Sequence, residues 1–323
     1  MDEGHIETDK LLARLEEEIA DVYKTAEYQM QAKLRIFMRE YEKELKAIQK
    51  QLDDGEISNA EFKAWKREQA IASDWHRRMV QTLAEDATNA DFIASSIVHS
   101  YFPEAYALNH AYATYQVEKT ARISTSYTLY SREAVERLIA DNPKLLPDPQ
   151  VDIPKDMAWN KKHLTSAVTQ SILQGEGAPQ AAARIASVIQ MDERAAVRTA
   201  RTAMTGAQNA GRINAFKRAQ GMGIQLKKEW VATLDGRTRH SHRQLDGEVV
   251  EVDEEFYNGL MHPGDPYGRP GEVYNCRCTL VPVVEGVDTS DAHRDSRLGS
   301  MSYEEWRKEH EKEAKNGRNG SRG

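Results

Sequence analysis

Cysteine is scarce in this chain: two residues in 323, Cys276 and Cys278, with Arg277 between them. So low a count excludes a disulfide-stapled secreted scaffold and fits a reducing compartment. No apolar run approaches the length of a membrane-spanning helix, and the opening MDEGHIETDK is acidic, with no signal-peptide pattern. The sequence therefore predicts a soluble protein made in the cytoplasm, with no membrane partner. A phosphate-binding loop is also missing. Gly175-Glu176-Gly177 is not followed by the lysine and hydroxyl such a loop needs, and Gly221-Met222-Gly223 follows a helical pattern instead of opening one.

A net charge of −7 argues against a general polyanion binder, but that sum hides two blocks of opposite sign. Between Arg194 and Arg243 eleven basic residues face two acids, Glu229 and Asp235; from Gln244 to Asn275 eight acids face the single Arg269. Such runs are usually solvated surface. The functional reading is a phosphate-facing patch, with Arg198, Arg201, Arg212, Lys217 and Arg218 as its candidate nucleic-acid contacts.

Apolar positions at Leu12, Leu15, Ile19, Val22, Ala26, Met30, Leu34, Phe37, Tyr41, Leu45, Ile48 and Leu52 step by threes and fours, the stripe of one long helix that Asp53-Asp54-Gly55 ends. Ser58-Asn59-Ala60-Glu61 is a capping-box pattern opening a second helix, which runs through Trp65, Trp75 and Met79 toward Val98. A shorter helix is expected after Pro103, and another from Ser131 to Ala140. Four prolines between Pro143 and Pro154 mark a linker. Beyond it, helices are predicted over 156–174, 178–190 and 192–220, followed by strands over 226–233 and 248–252 and a third holding both cysteines. The fold class expected is α+β, a long-helix N-terminal region followed by a mixed helix and small-sheet C-terminal domain. The divisions are 1–141 helical, 142–155 linker, 156–285 domain, and 286–323 a tail with a short helix, flexible from Lys315 onward. The helical pair around Gly175 to Pro179 is a helix-turn-helix in outline, but Arg184 is the sole basic residue on its second helix, so groove reading is not expected.

Residues two apart on a strand share a face, so both thiols are expected to point the same way, too parallel to bridge. They read either as small buried hydrophobes or as half of a metal site. The candidate completing ligands are His242 and His262, which would give a Cys2His2 set for zinc, with His240 and Asp265 nearby. A cysteine nucleophile needs a base and an orienting group, and no orienter stands out. No enzymatic activity and no catalytic residue is therefore expected; the alternative is a metal-dependent nuclease or transferase built on the His and Cys cluster.

Several short motifs occur in order. They are Ala200-Arg201-Thr202, Asn209-Ala210-Gly211, Trp230 through Arg239 (WVATLDGRTR), His242 through Gly247 (HRQLDG), Pro263-Gly264 and Asn275-Cys276-Arg277-Cys278. Together they resemble the Mu F-type phage head morphogenesis family, the minor head or minor capsid proteins, over roughly residues 156–284. Ala203 departs from the family pattern, which has glutamate after the Arg-Thr pair. The resemblance implies a virion component of low copy number in the capsid interior or at the portal vertex, acting in head morphogenesis and in DNA packaging or ejection. Its implied partners are the portal protein, the major capsid protein or scaffold, and packaged DNA. Some family members are fused to toxin domains; none is expected in a chain that ends soon after Met301 to Trp306.

Overall fold

The computed structural model describes residues 2–71, 73–125, 127, 129–142, 152–287 and 294–320. Helices dominate: α1 (Glu3–Asp53), α2 (Asn59–Ile71), α3 (Asp74–Ala121), α4 (Arg132–Asp141), α5 (Ile153–Gln174) and α6 (Ala178–Gly221). There follow β1 (Ile224–Val231), α7 (His240–Gln244), β2 (Val249–Glu251), α8 (Pro270–Val273), β3 (Thr279–Val287), a 3-10 turn (Ser296–Gly299) and α9 (Tyr303–Gly320). The three strands form one antiparallel sheet in the order β2-β1-β3. The chain is thus mostly helical, with long N-terminal helices and a small sheet in its C-terminal part.

By internal contacts the chain forms two units, one of residues 1–15, 98–149 and 198–323, the other of 16–97 and 150–197. In the second unit α1 buries Ile19, Tyr23, Ala26, Met30, Leu34, Met38 and Tyr41. Tyr23 and Met38 take the places expected of Val22 and Phe37, because a stripe stepping mostly by four drifts slowly around a straight helix. Antiparallel pairing with α3 is fixed by polar clamps: Tyr23 donates to Asp91 at 2.7 Å, and Lys33 to Asp86 at 2.7 Å. Leu164, Val168 and Ile172 of α5 and Ile185 and Ile189 of α6 complete this core.

Three helical boundaries differ from the sequence reading. The capping box forms as expected, with Ser58 N–H donating to Glu61 at 2.7 Å and Glu61 N–H to Ser58 at 3.3 Å. The helix it opens stops at Ile71, however, and Ser73 then caps α3, its hydroxyl accepting from His76 N–H at 3.4 Å. Pro103 starts no helix and lies inside α3. An interior proline costs about 3 kcal/mol, and here the neighbouring Phe102, Ala105 and Tyr106 are all buried, so packing holds the helix through it. The break expected at Met191 is absent, since α6 is continuous and buries Asp192 in its middle. Pro143, Pro147 and Pro149 of the expected linker lie outside the described residues.

The first unit packs the sheet on α3 and α6, with Val117, Phe216, Leu226, Trp230, Phe256 and Leu280 among its buried apolar residues. The close approach of α3 and α6 requires Gly211, where a Cβ would lie 2.5 Å from the Tyr106 carbonyl oxygen. A second cluster seats α9: Tyr115, Tyr127 and Trp306 are buried together, and Trp306 Nε1 donates to the buried Glu118 at 2.6 Å. Helix α9 reaches Gly320, so the segment expected to be flexible from Lys315 is helical that far; residues 321–323 lie outside the described residues. The cysteines precede β3 and are not in it. Pro282 sits inside β3, opposite Lys228, and is tolerated there because β3 is an edge of the sheet.

Candidate metal centre

The site is built where the chain leaves α8 and enters β3. A polar ridge on α6 holds this stretch in place of a strand partner. Thr202 accepts from Asn275 N–H at 3.1 Å, Thr205 donates to the Cys276 carbonyl at 2.7 Å, and Asn209 donates to the Cys278 carbonyl at 3.3 Å while accepting Leu280 N–H at 3.1 Å. Gln208 donates to Thr279 at 2.7 Å. These residues recur every three or four positions, so one helix face satisfies the backbone groups that an irregular buried segment would otherwise leave unpaired. Asn275 adopts φ +55, which turns the chain ahead of the thiols. Ala203, where the family pattern has glutamate, is buried on the same helix.

The ligand atoms of Cys276, Cys278 and His242 lie within 4.8 Å of one another, and all three residues are buried. The His242 Nδ1 is 3.5 Å from Cys276 Sγ and 3.4 Å from Cys278 Sγ. On the other side of the ring, Nε2 is 3.1 Å from Glu272 Oε2, which also accepts from Ser241 at 3.0 Å. A carboxylate only accepts, so Nε2 carries the proton and the Nδ1 lone pair faces the sulfurs. Trp230 packs edge-on against the imidazole with ring centroids 5.3 Å apart. The hydrogen bond between the thiols brings Cys278 down to about 5 against the opposing effect of burial. The same hydrogen bond and burial push Cys276 up. Two soft sulfurs and an imidazole nitrogen converging on one point form a donor set able to hold a metal ion.

The surrounding polypeptide is braced by an ion pair and by side-chain hydrogen bonds to main-chain carbonyls. Arg277 forks onto Asp235 at 2.6 and 2.7 Å, and its guanidinium holds the Asp235 carboxyl well below the usual range. Arg239 donates to the Tyr274 carbonyl, Arg243 to that of Asp235 at 2.6 Å, and Thr233 to that of Arg277 at 2.5 Å.

Other sequence candidates fall elsewhere. His262 does not join the thiols; it is buried with Nδ1 3.0 Å from the Pro263 carbonyl oxygen, and burial pushes its pKa down. Asp265 caps its own loop, accepting from the N–H groups of Met261 and Tyr267, both at 2.9 Å. The basic block is dispersed. Arg198 and Lys217 are exposed and Arg201 is half-buried, while Arg218 lies over the Tyr127 ring at 5.4 Å. Arg212 is fully buried and bound to Asp2, Asn109 and the Leu280 carbonyl, which removes it from any phosphate-facing surface. Lys228 is buried as well, capping the carbonyls of Val252 at 3.0 Å and Met261 at 2.8 Å, and burial lowers its pKa to about 8. Arg184 is engaged by Glu176 at 2.7 Å.

Sequence reasoning missed Glu272, Thr205 and Gln208. Glu272 lies four residues before Cys276, but nothing in an acidic stretch distinguishes it from Asp253 or Glu254. Only the fold brings α8 against α7.

Residues 162–281 match the family described as Phage Mu protein F like protein. Among characterised proteins, the chain is 30% identical over 241 residues to the minor head protein GP7 of Bacillus phage SPP1, a match covering 68% of this chain and 77% of that protein. It is 31% identical over 202 residues to the NAD(+)--arginine ADP-ribosyltransferase EFV of Enterococcus faecalis, covering 59% of this chain but only 40% of that protein. No solved structure matches. The E. faecalis relative overturns the expectation that the chain is not an enzyme, since this likeness extends to a protein named for a catalytic activity. The physical ground for that expectation also fails, because Glu272 supplies the orienting group that the sequence did not reveal. The likeness to GP7, spanning most of that protein, and the match over 162–281 place this chain in the Phage Mu protein F-like family of minor head proteins.

Proposed function

We propose that the chain is a minor structural component of a tailed-phage virion, located in the capsid interior or at the portal vertex, where it contacts the portal protein and either the major capsid protein or scaffold. The observation that carries this reading is the likeness to GP7. At 241 residues it is longer than the family match over 162–281, so it takes in helical sequence outside that match. Long helices such as α1 and α3 supply extended side-chain surface for such contacts. Exposed Arg198 and Lys217, with half-buried Arg201 and Arg218, support a sequence-independent contact with packaged DNA, in keeping with a role in packaging or ejection. For the ion of the thiol–imidazole group we propose zinc, the divalent metal most suited to a buried thiolate and imidazole set without redox chemistry. No helix among the described residues is long and apolar enough to cross a membrane.

The test is co-expression with the portal protein of the same genome. A complex that survives size exclusion and cross-links through α1 or α3 is the expected result, and two separate peaks with no cross-link would sink the portal assignment.

A second reading, transferase chemistry in the region shared with the E. faecalis relative, is favoured by that relative's name alone. Incubation with labelled NAD and an arginine-bearing acceptor protein should label the acceptor if the shared region is catalytic. Unlabelled acceptor would remove this reading.

A further inference from the structure

The connection between β1 and β3, residues 232–278, contains only three short regular pieces, α7, β2 and α8. Connections of that length in a compact unit are uncommon unless something fixes them. Helices as short as α7 and α8 are far below the length that persists alone, and neither has a side-chain N-cap. Asn275 adds a left-handed conformation, which asparagine tolerates better than other non-glycine residues but less freely than glycine. Yet these pieces deliver the site: His242 comes from α7, Glu272 from α8, and the thiols from the turn that follows. The conformations that assemble the donor set are weakly favoured by themselves.

We infer that an ion on Cys276, Cys278 and His242 is the clasp that closes the β1–β3 connection, and that Glu272 is a positioning residue holding His242 in the tautomer that ligates. This rests on the zinc reading above and adds what the ion does. An ion that binds only the folded arrangement stabilises it by its binding free energy. Here the arrangement is local, so the stabilisation falls on residues 232–278. The segment also places Leu245, Val252, Phe256, Leu260 and Val273 in the core of the first unit, so closing it seals that core. Glu272 acts through the ring. By accepting Nε2–H it orients the imidazole and fixes its tautomer, as carboxylates behind metal-bound histidines do.

The experiment uses the full chain. Elemental analysis should find one zinc per chain. Hydrogen exchange, followed by mass spectrometry before and after zinc is stripped with a chelator, should show faster exchange across 232–278 and unchanged exchange across 19–41 of α1. Zinc bound with no change in 232–278 on stripping overturns the clasp. No zinc on purification, together with no thiolate-to-metal absorption when cobalt(II) is added, overturns the zinc reading itself. Cysteine variants risk misfolding, so the positioning role is tested at Glu272. Glu272→Ala should weaken zinc affinity, measured by competition with a chromophoric chelator, roughly 10–100-fold. Glu272→Gln keeps an acceptor for Nε2–H and should recover part of that loss. Equal affinities for Glu272→Ala and the unaltered chain would overturn the positioning role.

Discussion

Replacing Arg212 by alanine is expected to destabilise the first unit by about 3–5 kcal/mol, the range found when one partner of a buried ionic network is removed. The guanidinium is fully buried. It forks onto Asp2 with two 2.7 Å bonds, donates from Nε to Asn109 Oδ1 at 3.1 Å and from Nη1 to the Leu280 carbonyl at 2.7 Å, and lies 5.5 Å from the Tyr112 ring centre. One side chain of α6 thus satisfies groups from Asp2 just before α1, from α3 and from β3. Alanine leaves a carboxylate, an amide oxygen and a main-chain carbonyl without their donor, and each buried unsatisfied group is costly. Denaturant titration should show a lower midpoint with an unchanged slope. Arg212→Lys keeps the charge but cannot fork, so it should fall between. A loss below 1 kcal/mol for alanine would show that this network is not holding the unit.

The Arg212–Asp2 pair also has an acid signature. Burial alone would raise the Asp2 carboxyl, but hydrogen bonding and charge from Arg212 outweigh it and hold its pKa below the ordinary value. With the folded value depressed, its stabilisation is present above the unfolded pKa and is lost as pH falls through the folded one. The alanine variant should lack that component of acid sensitivity.

Arg212 illustrates what the sequence could and could not disclose. As one of eleven basic residues in a run, it is indistinguishable from Arg198 by composition; their different fates follow from partners at Asp2 and Leu280, far away in the chain. Local signals were legible. The Ser58–Glu61 capping box, the Ser131 cap, the stop at Gly55 with φ +74, and the α1 periodicity all depend on residues within a few positions of one another. Helix continuity through Pro103 and Met191 was not, because tertiary burial overrides local breaking tendencies there. At the candidate centre, the approach of Cys276 and Cys278 to His242 could be anticipated from a shared small domain. The absence of His262 from the donor set and the placing of Glu272 behind the ring could not, since the latter depends on how two single-turn helices meet.

A second large effect is expected at Asp192, in the second unit. This residue is buried in the middle of α6, and its Oδ2 has no hydrogen-bond partner among the described residues. Burial, followed by repulsion from Asp91 and Asp156, raises its pKa to about 8. Asp91 is itself raised, mainly by burial, while accepting from Tyr23 and Asn160; Asp156 is also raised, again mainly by burial. Because the folded value lies above the unfolded 3.8, the native state keeps a proton that the unfolded chain releases between those limits. Stability therefore falls as pH rises from about 4 to 8 and levels off above, where the buried charge exerts its full penalty. Asp192→Asn abolishes this titration while keeping the size of the side chain. The variant should come closest to the unaltered chain below about pH 4 and exceed it at pH 9 by on the order of 2–3 kcal/mol, below the ceiling that 1.36 kcal/mol per pKa unit would set. Thermal or urea unfolding at the two pH values, followed by a probe in α1 or α5, measures the difference. Equal stabilities at pH 9 would mean that Asp192 is ionised without strain in the native state, with water or an ion reaching the oxygen that now stands unpaired.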